Sequence, residues 1–159
     1  MLNGTTPVKI NLGGVYNIYN GIGALAALVS LGIDRETALH ALERFSGAFG
    51  RMEKFGNVRM ILVKNPAGLT QTCNYISQFK GDKTVIFCLN NNAADGRDIS
   101  WIWDVDFEAL ADQQVRFTRV LVSGVRADDM ALRLKYAGFA PERIEVIREY
   151  DRLLTEIGS

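Results

Sequence analysis

The run Thr84-Val85-Ile86-Phe87-Cys88-Leu89, continued by Asn90-Asn91-Asn92-Ala93-Ala94-Asp95-Gly96-Arg97-Asp98-Ile99-Ser100-Trp101-Ile102-Trp103-Asp104-Val105-Asp106-Phe107-Glu108, decides how this chain folds. Its first six residues form a short, nearly continuous apolar run, which reads as a buried strand. The rest packs three consecutive amides, a glycine, an arginine, five acidic residues and both tryptophans of the chain into one connection. A loop that only connects is short and polar. Large aromatics that need burying, set beside carboxylates that need solvent or partners, are the mixture found in binding and catalytic loops. The plainer alternative is a surface loop stapled down by Trp101 and Trp103.

Outward from this stretch, strand and helix patterns alternate. Upstream, Val58 to Lys64 reads as a strand, Asn65-Pro66-Ala67-Gly68 as a sharp turn and Leu69 to Phe79 as a helix. Downstream come a short helix at Phe107 to Asp112, a strand at Val115 to Ser123 and a helix at Ala127 to Ala137 that Gly138 stops. A strand at Arg143 to Ile147 and a helix at Tyr150 to Ile157 follow. This alternation predicts an α/β fold with a mostly parallel sheet and helices on both faces. Ligands of such sheets gather beyond the carboxyl ends of the strands. Three polar loops fall there: Lys64-Asn65-Pro66, Asn90 to Asp98, and Ser123-Gly124-Val125-Arg126.

The first third reads differently. Val8 to Leu12 alternates like a short edge strand, and a domain rarely starts so abruptly on one, so a cut through something larger is expected. Val15 to Gly32 has the overlapping spacings of a largely buried helix. Gly21 and Gly23 each weaken it by roughly 1 kcal/mol relative to alanine, a loss expected where another backbone or a ligand comes close. Asp34 caps a helix from Arg35 to Phe45. Gly47 to Gly56 is a glycine-punctuated link. By its length the chain reads as one domain.

Composition narrows the classes of function. The chain has 159 residues, enough for a real core. Eighteen basic residues balance eighteen acidic ones, which removes the electrostatic case for nucleic acid or an anionic membrane as partner. No apolar stretch is long enough for a transmembrane helix. Cys73 and Cys88 lack metal-ligand spacing, and Cys88 is expected to be a buried thiol. A reduced, cytoplasmic setting fits these features.

The chemistry-bearing residues are few. No G-x-x-x-x-G-K-[ST] and no G-x-G-x-x-G motif is present, so any nucleotide site here is partial. His40, the only histidine, lies off the apolar face of its helix and is expected to face solvent. A nucleophile–histidine–acid set cannot be assembled without it. Arg51 can fork onto phosphate or pair with Glu53 on the surface, and the residues alone do not choose. Lys64 suits an anionic ligand or a solvated strand end equally. Asp95 and Asp98 can hold a metal, orient a partner's base, or pair with Arg97. Asp104 and Asp106 precede Phe107, where helix capping is the better reading.

Gly14-Val15-Tyr16-Asn17-Ile18-Tyr19-Asn20, with Ala24 to Ala27 and Gly32-Ile33, resembles the helix that closes the central ATPase domain of Mur ligases. Gly50-Arg51-Met52-Glu53 resembles their G-R-x-E link into the third domain, and Asn65-Pro66 sits where they place a similar turn. The run Asp95 to Glu108 is similar to the Mur-ligase-like (MurT-type) subunit of lipid II isoglutaminyl synthase. Ser123-Gly124-Val125-Arg126-Ala127 and Met130 to Gly138 share that similarity. The resemblance covers nearly the whole chain, and the tryptophan run is its most specific part.

What the resemblance implies is an amide ligase of peptidoglycan synthesis. ATP and Mg2+ activate the α-carboxyl of D-glutamate in lipid II as an acyl phosphate. A separate glutamine amidotransferase (glutaminase) subunit supplies ammonia and carries its own cysteine and histidine. The ligase-like subunit lends that site an aspartate, for which Asp95 and then Asp98 are the candidates here. Asn20 and Arg51 are placed near ATP, and Lys64 and Asn65 are the further cofactor-binding candidates. The family's phosphate loop, magnesium ligands and four-cysteine zinc module belong upstream and have no counterpart in this sequence. The resemblance therefore implies the C-terminal domain, residues 47–159, with a remnant of the central one, residues 1–46, inactive alone and exposing an apolar surface on that remnant. A non-catalytic module that docks an amidotransferase is the alternative.

Overall fold

A computed structural model describes residues 7–46, 50, 52–112 and 117–158. The chain packs as two compact units, Met1–Leu62 and Val63–Ser159.

In the first unit, α1 (Val15–Ser30) and α2 (Arg35–Arg44) pack on each other. Asp34 caps α2 as expected, its Oδ2 accepting the Thr37 N–H at 3.0 Å. Residues 8–12 form no strand. The side chain of Ile10 instead fills the notch at Gly21, where an added Cβ would sit 2.5 Å from Ile10 Cδ1. Gly21 thus serves close packing, while Gly23 has nothing within 4 Å. Helix α1 is not largely buried: Val15, Ile18, Tyr19, Ile22 and Val29 are all exposed. That is the apolar surface the sequence leads one to expect.

The run Val58 to Lys64 does not join the parallel sheet. Only Val58–Met60 is a strand (β2), and it pairs antiparallel with β1 (Glu53–Phe55). Gly56 and Asn57 make the turn between them, with Gly56 at φ +59°, the first loop position at which a two-residue hairpin turn favours glycine.

The second unit holds the α/β layer. Helix α3 (Pro66–Ser77) begins at Pro66, because Asn65 caps it and proline suits the first helical position. The expected sharp turn at 65–68 is therefore the first turn of a helix. β3 (Lys83–Cys88), β4 (Phe117–Ser123) and β5 (Ile144–Val146) form a parallel sheet in that order. Helices α4 (Glu108–Ala111), α5 (Ala127–Tyr136) and α6 (Tyr150–Gly158) complete the unit.

Side chains alternate across the sheet with the two-residue period of a strand. Val85, Phe87, Val120 and Val122 join Leu69, Cys73, Leu110, Met130 and Leu134 in the main core. Leu121 packs with Ile147 and Leu153 of α6 in a smaller cluster, with Ile86 against it. Cys88 is exposed, contrary to expectation; Cys73 is the buried thiol, and burial pushes its pKa up to about 12.

Candidate functional site

The three loops expected at the carboxyl edge of the sheet do meet. Leu89 N–H donates to Ser123 O at 3.0 Å, and Arg126 N–H donates to Leu89 O at 3.0 Å. Asn90 Oδ1 accepts the Val125 N–H at 2.9 Å. These bonds need a glycine between them. Gly124 has φ +92°, and an added Cβ would lie 2.3 Å from Leu89 O. Lys64 brings in the remaining loop, its Nζ donating to Ala94 O at 3.2 Å. Ser123 Oγ, fully buried beside this junction, has no hydrogen-bond partner among the described residues.

The loop itself presents its carboxylates to solvent. Asp95 and Asp98 are both exposed. Asp95 Oδ2 accepts from Asn92 Nδ2 at 3.0 Å, and its N–H donates to Asn92 O at 2.9 Å, which closes a tight turn. Asp98 Oδ1 accepts the Ser100 N–H at 2.8 Å, and that bond holds its carboxyl below the usual carboxylate range. Neither aspartate pairs with Arg97 among the described residues. No group of three or more metal-ligating side chains occurs among the described residues.

Beyond Asp98 the chain enters a 3-10 segment, Ser100–Asp104, and the anchoring differs from a tryptophan staple. Ile102, Val105 and Phe107 are buried. Trp101 only packs against the core, and Trp103 is 50% exposed. The anchor that sequence reasoning missed is Arg133. Its guanidinium is buried and donates from Nε to Ile102 O at 3.2 Å and from Nη2 to Val105 O at 2.7 Å. It also forks onto Glu108 at 2.9 and 3.0 Å. Asp106 caps α4 as expected, accepting the Ala109 N–H at 3.0 Å.

Among the cofactor-binding candidates, Asn65 Oδ1 is engaged in capping Gly68 N–H at 2.8 Å. Asn20 is exposed on α1 of the first unit. Arg51 lies outside the described residues. His40 is exposed, beside Glu43 at 3.6 Å, and belongs to the first unit.

The fold of this chain, helices with a three-stranded parallel sheet, is like that of Mur ligase C-terminal domains. It superposes on a MurF structure from Acinetobacter baumannii with a TM-score of 0.72, at 20% identity, over 98% of this chain and 34% of that one. Residues 62–159 match the family described as MurT ligase C-terminal, and the chain belongs to that family. It is 41% identical over 132 residues to the MurT subunit of the glutamine-hydrolysing lipid II isoglutaminyl synthase of Staphylococcus aureus strain COL, across 80% of this chain. It is 35% identical over 152 residues to the corresponding subunit of Streptococcus pneumoniae strain R6, across 93% of this chain. The match spans 30% and 34% of the length of those two relatives.

Proposed function

We propose that this chain is the C-terminal part of the ligase subunit of a lipid II isoglutaminyl synthase. In this reading a glutaminase subunit docks at the carboxyl edge of the sheet and takes an aspartate from the loop Asn90 to Asp98. The observation that carries the reading is a pair of exposed carboxylates on a loop tied to neighbouring loops at two points and closed on itself at Asp98, in a unit that contains no histidine. A carboxylate so placed has no base of its own to orient. Offered to a partner's imidazole, it would hold the reactive tautomer and stabilise the imidazolium cation.

ATP, with Mg2+, would supply the energy to activate the D-glutamate carboxylate of lipid II. The described residues offer cations and amides and no glycine cradle for phosphates, so this chain would furnish part of that site. Asn20, Arg51, Lys64 and Asn65 are the residues proposed for it. Residues 1–46 are proposed as the remnant of the central domain and 47–159 as the C-terminal domain. No helix among the described residues is long and apolar enough to cross a membrane, and work at the cytoplasmic face on lipid II is proposed.

The test is glutamine hydrolysis by the full-length ligase subunit paired with its glutaminase. Asp95→Asn or Asp98→Asn should lower kcat by about 10³–10⁴-fold, the scale of a wrong imidazole tautomer. Full hydrolysis by both variants would show that neither aspartate serves the partner.

A further inference from the structure

We infer that Arg133 is a positioning residue for the glutaminase reaction: its buried fork fixes the segment that follows Asp98, and so sets where the donor loop points. This rests on the reading of the loop given above. The loop has two ends. At the first, Asn90 is bound to Val125 on the sheet's carboxyl edge. At the second, Asp98 closes onto Ser100 N–H, the start of the segment Ser100–Asp104. Among the described residues no backbone–backbone hydrogen bond joins that segment to the sheet-covering helix α5. Arg133 does, from α5, by four hydrogen bonds to Ile102 O, Val105 O and both oxygens of Glu108.

An apolar side chain of similar size would hold the same elements together as well or better, because a guanidinium must be stripped of water before it pairs. A planar fork does what an apolar residue cannot. It sets the direction of two backbone carbonyls at once. The guanidinium also lies 5.5 Å from the Trp103 ring centroid and 5.2 Å from that of Phe107, which restrains its rotation. Lysine keeps the charge and loses both the fork and the stacking plane.

Arg133→Lys, in the full-length subunit with its glutaminase, should lower kcat for glutamine hydrolysis by about 10–100-fold, the scale of an ångström-size misplacement. KM for glutamine and the affinity between subunits should stay unchanged. Tryptophan emission should shift to the red, since both tryptophans lie on the clamped segment. An unchanged kcat per mole of complex would overturn the inference, even with a lowered melting temperature. If Arg133→Lys does not fold, Glu108→Ala serves, since Glu108 is 56% exposed at the start of α4. It should lower kcat by about fivefold, an energy near one lost hydrogen bond, and no change would equally overturn the clamp. Asp95→Asn and Asp98→Asn run alongside separate the two claims. If neither aspartate variant affects hydrolysis, the reading of the loop fails. If either does while Arg133→Lys retains full kcat, only the clamp fails.

Discussion

Gly124 carries more of the site than its size suggests. It sits at φ +92° with the Leu89 carbonyl where a side chain would begin. Gly124→Ala must strain the backbone and push the loop after β3 away from the loop after β4. The cost should be at least roughly 2 kcal/mol in a urea melt of the chain, the scale of a residue forced into a sparsely populated conformation. Ser123, one residue earlier, should behave in the opposite way. Its buried hydroxyl has no partner among the described residues, so Ser123→Ala removes an unmet polar group. Stability should stay level or rise by up to about 1 kcal/mol. A clear loss would reveal a bond to water or to a neighbouring group. The glycine was legible in the sequence as part of a turn after a strand. The buried serine was not, because a serine at a strand's end looks like any loop serine until the burial around it is seen.

At the scale of elements, the alternation of apolar runs and helical spacings was enough to find α3, β3, β4, α5, β5 and α6, and from them the edge where the loops gather. It misplaced Val58 to Lys64, because a buried parallel strand and a hairpin arm have similar apolar content. The discriminating signal was Gly56-Asn57, a two-residue turn. The tryptophan run was legible as a special loop, yet its anchor was not. In α5, Arg133 reads as a cation favourable to the helix's carboxyl end, and only packing shows that it points inward. Its partner Glu108 gives this element a pH signature. The Arg133 fork holds the Glu108 carboxyl below the ordinary glutamate value. A lowered folded-state value means the pair's contribution is full above about pH 4.3, the unfolded glutamate value, and is lost as pH falls through the folded one. The melting temperature should therefore drop more steeply between pH 5 and pH 3, on the order of these values, in the parent chain than in Glu108→Gln. Parallel curves for the two would remove Glu108 as the titrating group.

For the whole molecule, the two units differ in what holds them. Among the described residues, Leu25 and Ala38 are the only buried apolar side chains of Met1–Leu62, while the two core clusters lie in Val63–Ser159. Each fully buried large aliphatic or aromatic side chain contributes about 1.5–3 kcal/mol. The first unit therefore rests on a helix pair and a hairpin of two three-residue strands, with Val15, Ile18, Tyr19 and Ile22 left in solvent. The second has the fully buried Ile102, Phe107, Leu110, Val120, Leu121, Val122 and Leu134. Heating the intact chain should melt the first unit at a lower temperature, in a transition of small enthalpy. A piece beginning at Val63 should keep the second transition and lose the first. An apolar dye should bind the intact chain several-fold more than that piece, because the exposed stripe on α1 goes with the first unit. One shared transition, with the piece from Val63 unable to fold, would mean that the second unit draws stability from the first and that the core within it is not sufficient.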